Sequence, residues 1–237
     1  MTANALVSIV MPTCKPRHFA QALDSVLAQT YTALELVICD DNANGAIEAM
    51  LASRLADAPF PIRYHRNASR LGELGSTIKG IGLAQGEYVK FLHDDVLQPD
   101  CVAQLVAAME HSPDAALASS RRRRIDDDSA PLPDILATCF PFAEDVVIDG
   151  PELVSFLADH TINLIGEPSC VLCRRADLVA LGSELMSLNG KPIYWVGGLA
   201  IYVKLLRHGN LVLLSSPLTH LRASGAQVRE RTGQQDQ

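Results

Sequence analysis

A chain of 237 residues, 48% hydrophobic and 20% charged, can bury one substantial core, or at most two small domains sharing an interface. Its formal charge of −7 excludes the basic surface that a nucleic-acid binder needs, although an anionic ligand stays open to it if a metal supplies positive charge. It has neither a run of about 18 apolar residues nor the basic, apolar start of a secretory leader, which predicts a cytoplasmic protein without a transmembrane segment.

Residues 5–11 form a β-branched apolar run that Pro12 should end, with Thr13 and Cys14 in the exit loop. Pro16 suits the first turn of a helix, and Phe19, Leu23, Val26 and Leu27 recur at helical spacing. A second buried strand over 35–39 runs straight into Asp40 and Asp41, with Asn42, Asn44 and Gly45 making the turn. A helix follows, with Ile47, Met50, Leu51 and Leu55 as its inner face. A short strand over 61–65 and a loop over 66–70 lead to a helix over 71–84. There Leu74, Ile78, Ile81 and Leu83 mark a face, and four glycines imply close packing rather than strong intrinsic helicity.

The stretch GEYVKFLHDDVLQPD, residues 86–100, organises the rest. A run of apolar residues, Tyr88, Val89, Phe91 and Leu92, breaks abruptly into His93, Asp94 and Asp95. Ligands bind at the carboxyl ends of strands in an open α/β sheet, so adjacent acids there suit a metal held for a phosphorylated ligand; a solvated turn capping the next helix is the plainer alternative. Strand, helix, strand, with acids at strand ends, predicts an α/β fold: a mostly parallel sheet covered by helices. No G-x-G-x-x-G or Walker-type loop follows the first strand, so phosphates would not be cradled as in dinucleotide or P-loop enzymes.

The order VSIVMPTCKPRHFAQALDSVLAQTY, then ELVICDDNANG, then RNASRLGELGSTIKGIGLAQGEYVKFLHDDV, resembles the nucleotide-sugar half of family 2 glycosyltransferases of the GT-A fold. That resemblance spans about the first 110 residues and implies a Rossmann-like sheet binding a nucleoside diphosphate sugar, usually a UDP sugar, with Mn or Mg bridging the diphosphate. It implies that Pro12 and Thr13 line the nucleoside pocket, that Asp40 and Asp41 contact base and ribose, and that Arg70 lies near the diphosphate. His93, Asp94 and Asp95 match the D-x-D motif, with Asp95 as direct metal ligand. His93 replaces the first Asp, and an imidazole suits Mn better than Mg.

The second half is sparser. A helix is expected over 99–111 and a strand over 115–120. Arg121 to Arg124 followed by Asp126 to Asp128 reads either as a solvated hairpin or as a phosphate- or lipid-facing patch. Pro131, Pro133 and Pro141 mark an irregular connection; 150–159 reads as a helix, and 163–175 as a loop turning into a strand. Glu167, between Gly166 and Pro168, reads as a turn residue, while the resemblance implies an acid in a turn beside the transferred sugar and acceptor.

Residues 196–210 resemble the family's final helix, whose start normally carries the Asp that serves as general base; alignment on LLRHG puts Gly198 there. Glu167 then becomes the candidate base of an inverting transfer to a saccharide or glycoconjugate hydroxyl. Downstream, Arg222 and Gln227 fit the family's tail, while Ser224 stands where His is expected. Trp195, the only tryptophan, suits sugar stacking or core packing.

Residues 1–228 are expected to form one domain, with a donor half over 1–110, an acceptor half over 111–228, and a polar tail over 229–237. Two other readings compete with the transferase: a protein that binds donor without transfer, and a nucleotidyltransferase, for which the Gly-rich basic loop is lacking. Peripheral membrane association and a homo-oligomer are both left open. The six cysteines sit mostly in apolar stretches, which predicts buried thiols, and Cys170 and Cys173 lack the second pair of a zinc site.

Overall fold

The computed structural model describes residues 4–160, 162–193 and 197–223. The first half is a run of parallel strands, β1 (Val7–Thr13), β2 (Leu34–Asp40), β3 (Ile62–Arg66) and β4 (Tyr88–Phe91), in the order β3-β2-β1-β4. Helices α1 (Phe19–Leu27), α2 (Ala46–Ala52) and α3 (Gly72–Leu83) connect them. β1 runs through Pro12 rather than ending before it. Alternation along the strand aims the absent Pro12 N–H at the β4 side, beyond the last β1–β4 pair, Val10 with Phe91, so no ladder bond is lost.

In the second half the sheet changes direction. After β5 (Val96–Leu97) and α4 (Cys101–His111) comes β6 (Ala115–Ile125), which turns back into β7 (Pro131–Leu132); then follow β8 (Val146–Ile148) and α5 (Gly150–Asp159). β9 (Leu172–Arg174) leads into α6 (Arg175–Ala180), a small hairpin of β10 (Ser187–Leu188) and β11 (Lys191–Pro192), α7 (Gly197–Leu206) and β12 (Asn210–Arg222). β9 is antiparallel to both β4 and β6, while β6 and β12 run parallel. The full order is β3-β2-β1-β4-β9-β6-β12-β5.

Alternating side chains supply a core on each face. Val7, Ile9 and Met11 point towards α1, α2 and α4, where Phe19, Leu23, Ile47, Leu51, Val102 and Leu105 are buried. Val10, Val89 and Phe91 point the other way, towards α3 and α5 to α7.

Several expectations need correction. α2 stops at Ala52, leaving Leu55 in a 3-10 turn and exposed. α3 turns Ser76, Thr77, Gly80 and Ile81 inward and leaves Ile78 exposed, because a Cβ on Gly80 would lie 2.4 Å from Val10 Cγ1. That approach places the helix backbone almost on the sheet, closer than a leucine face would permit. The final helix, expected over 196–210, ends at Leu206, and Asn210–Arg222 forms the long strand β12. As expected, the loop after residue 163 turns into a strand, β9, and the thiols are mostly buried: all six are free, with Cys39, Cys101, Cys170 and Cys173 buried. Among the described residues no helix is long and apolar enough to cross a membrane.

Candidate active site

The acids at the end of β2 divide their work. Asp40 is fully buried: Tyr64 Oη donates to Oδ2 at 2.7 Å and the Asn42 amide to Oδ1 at 2.7 Å. Its carboxylate therefore shapes the turn, and the resemblance's expectation that it touches base or ribose meets no exposed surface. Asp41 reaches across to the loop before α3, accepting from Asn67 Nδ2 (2.6 Å), the Leu71 amide (3.1 Å) and the Gly72 amide (2.6 Å). Burial alone would raise its pKa, but these bonds and one from Ser76 outweigh it and hold the carboxyl below its usual range. The left-handed φ of +72° at Gly72 lets that amide face the acid.

Beyond these turns opens a cleft of about 740 Å³, lined by Cys14, Lys15, Asp41, Asn42, Arg66, Asn67 and Arg70 among others. Pro12 is buried and Thr13 half-buried, and neither lines the cleft, whose wall on this strand begins at Cys14. Lys15 and Arg70 are exposed and have no hydrogen-bond or ion-pair partner among the described residues. Burial raises the Cys14 thiol, and the charges acting on it are Lys15, Asp94, Arg70 and Asp41. Charges on the turns after β2 and β4 are thus both felt at Cys14, on the wall of the cleft.

The His-Asp-Asp turn is anchored from behind. Asp95 is buried and accepts from the Arg222 amide at 2.8 Å, with a further hydrogen bond from Ser169; burial is the main reason its pKa is raised. The Arg222 side chain donates from Nε to Asp94 O (3.0 Å), from Nη1 to Asp126 O (2.6 Å) and from Nη2 to Gln21 Oε1 (2.5 Å). Asp94 is half-buried, and its carboxylate has no partner among the described residues. His93 Nε2 is buried without a hydrogen-bond partner, while Nδ1 lies 3.8 Å from Glu73.

No group of three or more His, Cys, Asp or Glu side chains that could hold a metal is assembled among the described residues. The unmatched Asp94 carboxylate and His93 nitrogen nevertheless fit a divalent ion arriving with a diphosphate, since such ions are commonly held by one or two protein groups plus substrate oxygens.

On the acceptor side Gly166, at φ +104°, turns the chain so that Glu167 meets β6: Glu167 Oε2 lies 2.7 Å from Nε of the nearly buried Arg122. Arg122 also donates to the carbonyls of Ala137 and Asn163. The arginine run thus alternates across a strand rather than forming a single patch, with Arg122 inward, Arg123 exposed and Arg121 facing Asp134 at 3.7 Å. The hairpin is real, but its acids answer other groups: Asp127 pairs with Arg17 (3.4 Å) and His18 (3.2 Å).

Gly198 packs against this turn, where a Cβ would lie 3.1 Å from both Pro168 Cγ and Tyr202 Oη. Trp195, Ser224 and Gln227 lie outside the described residues. Sequence reading missed Lys15, Asn67 and Arg122. Lys15 is separated from Thr13 by a single residue, and position was its only signal; Arg122 could have been found from strand alternation.

A cleft with two acidic turns at the carboxyl ends of parallel strands is where open α/β folds bind their ligands. The comparisons make it specific: residues 8–175 match the family described as Glycosyl transferase family 2, and the chain belongs to that family. Among curated relatives, the glucosyl-dolichyl phosphate glucuronosyltransferase of Haloferax volcanii is 35% identical over 113 residues, covering 46% of this chain and 36% of that protein. The fold is the GT-A type. Staphylococcus aureus TarS 1-349 in complex with UDP superposes with a TM-score of 0.69 at 14% identity, covering 95% of this chain and 62% of that one. The mannosyltransferase PcManGT from Pyrobaculum calidifontis, in complex with GDP-Man and Mn2+, gives 0.61 at 14% identity, covering 95% and 58%. The chain spans about a third of the length of curated relatives it matches.

Proposed function

We propose that the protein is a glycosyltransferase that moves a sugar from a nucleoside diphosphate sugar, a UDP sugar in first place, to a hydroxyl of a saccharide or glycoconjugate acceptor, with inversion. The observation that carries this reading is the cleft at the strand ends whose lining includes Cys14, Lys15, Asp41, Asn67 and Arg70. A diphosphate there would meet two unpaired cations, and a nucleoside would lie along the turn that Asp41 fastens. Family membership and the nucleotides bound by TarS and PcManGT support the choice of donor.

In the reaction the acceptor oxygen bonds to the anomeric carbon as the bond from that carbon to the diphosphate oxygen breaks. The acceptor proton passes to Glu167, and the nucleoside diphosphate departs. Lys15 and Arg70 are placed to hold the phosphates, and Arg122 fixes the direction of the Glu167 carboxylate. A Mn or Mg ion held by Asp94 and His93, rather than by the buried Asp95 that the resemblance implied, would stabilise the negative charge gathering on the leaving group.

The test is hydrolysis and transfer with a panel of UDP and GDP sugars, with and without Mn. Metal-dependent release of UDP or GDP supports the assignment. Tight donor binding without turnover across a broad acceptor panel favours a donor-binding protein instead, which the glycine at position 198 also suits.

A further inference from the structure

The turns on the two sides of the site are bolted together through one buried residue. Ser169 follows Glu167 by two positions and is fully buried in the 3-10 turn Pro168–Cys170. Its hydroxyl accepts from the His93 amide at 3.1 Å and helps to lower the pKa of the Asp95 carboxylate against the effect of burial, so it acts on the His-Asp-Asp turn at two points. Its carbonyl is held just as firmly. Lys90 Nζ, fully buried on β4, donates to it and to the Phe91 carbonyl at 3.2 Å, and Thr219 Oγ1 on β12 donates to it at 3.1 Å. No other described residue hydrogen-bonds the His-Asp-Asp turn from the segment that carries Glu167.

We propose that Ser169 is a positioning residue that sets the diphosphate-binding turn at a fixed distance from Glu167, acting through Asp95 and the His93 amide rather than by touching substrate. This rests on reading that turn as the metal–diphosphate site. A buried lysine with only carbonyl partners makes sense in this frame. Its ammonium pins the Ser169 carbonyl, and the direction of the hydroxyl follows. Glu167 and Asp95 then belong to one rigid unit, although 72 positions separate them in the chain.

The experiment measures binding of UDP and of GDP by calorimetry, with and without Mn, in the parent, Ser169→Ala and the near-isosteric Ser169→Cys. Ser169→Ala should weaken Mn-dependent nucleotide binding about tenfold and leave Mn-free binding within about twofold, with Ser169→Cys between alanine and parent. Melting temperatures should stay within about 4 °C of the parent. Parent-like Mn-dependent binding by Ser169→Ala, or an equal loss with and without Mn, overturns the proposal. If Ser169→Ala does not fold, Ser169→Cys carries the comparison under the same criteria. If Glu167→Gln is fully active while Ser169→Ala loses Mn-dependent binding, the assigned base falls and the link stands; a parent that binds neither nucleotide in Mn removes both.

Discussion

The first hundred residues and the second hundred solve the same problem, presenting polar groups at strand ends, in different ways. In the donor half all four strands run parallel, so their carboxyl ends share one rim, and local turns such as Asp41 with Asn67, Leu71 and Gly72 finish the site. In the acceptor half β9 opposes β4 and β6, and no single rim collects the side chains. There the arrangement depends on buried long-range pairs, Arg122 with Glu167 and Arg222 with the carbonyls of Asp94 and Asp126. Parallel topology makes a site almost by itself; a mixed sheet must be wired.

The sharpest way to break this comparison is to remove the wired half's carboxylate. Glu167→Gln keeps an amide oxygen for Arg122 and so should fold, but it cannot take the acceptor proton. Transfer kcat should fall about 10²- to 10⁴-fold while Mn-dependent nucleotide affinity stays near the parent's. A steady-state assay beside calorimetry reads both. An unchanged kcat would move the base elsewhere and leave the two halves less separate than drawn here.

This asymmetry also explains what the sequence made legible. The donor half's order of elements could be read because β1, β2 and β4 are apolar runs ending in polar turns, and every helix between them is a local connection. β12 was not legible. Its inner residues, Leu211, Leu213 and Leu218, alternate only in part, and bulges around Pro217 break the period. Arg122 was hidden for a related reason: four consecutive arginines look like one charged surface until the pleat sends one of them inward. Asp40 and Asp41 looked equivalent in sequence, and only the position of Tyr64 on β3 shows that the first is structural.

A smaller effect sharpens the local half. The folded state depresses the Asp41 pKa, so its contribution to stability is fully present above the unfolded value of about 3.9 and is lost as pH falls through the lower folded one. Asp41→Asn should cost about 1–3 kcal/mol at neutral pH, by weakening the bonds to Asn67, Leu71 and Gly72. Urea midpoints of parent and variant should then converge as the pH is lowered below about 4. A gap that persists unchanged in acid would mean that packing, not charge, fastens this loop.

The last prediction concerns the helix that follows the loop, where two glycines only two positions apart should respond with opposite sign. A Cβ on Gly80 would lie 2.4 Å from Val10 Cγ1 and 3.6 Å from Cys39 Sγ, in the seam between α3 and the centre of the sheet. Gly80→Ala should therefore destabilise by about 1–3 kcal/mol, since β1 is flanked on both sides and has little room to give. A Cβ on Gly82 meets nothing within 4 Å, so Gly82→Ala should stabilise by about 0.5–1 kcal/mol through helix propensity and a less flexible unfolded chain. Chemical denaturation of both variants measures the difference directly. Equal responses would mean that α3 is rotated and rests on Leu74 and Ile78, as its apolar spacing suggests; opposite responses would show that small residues set how closely this helix approaches the strands beneath the donor rim.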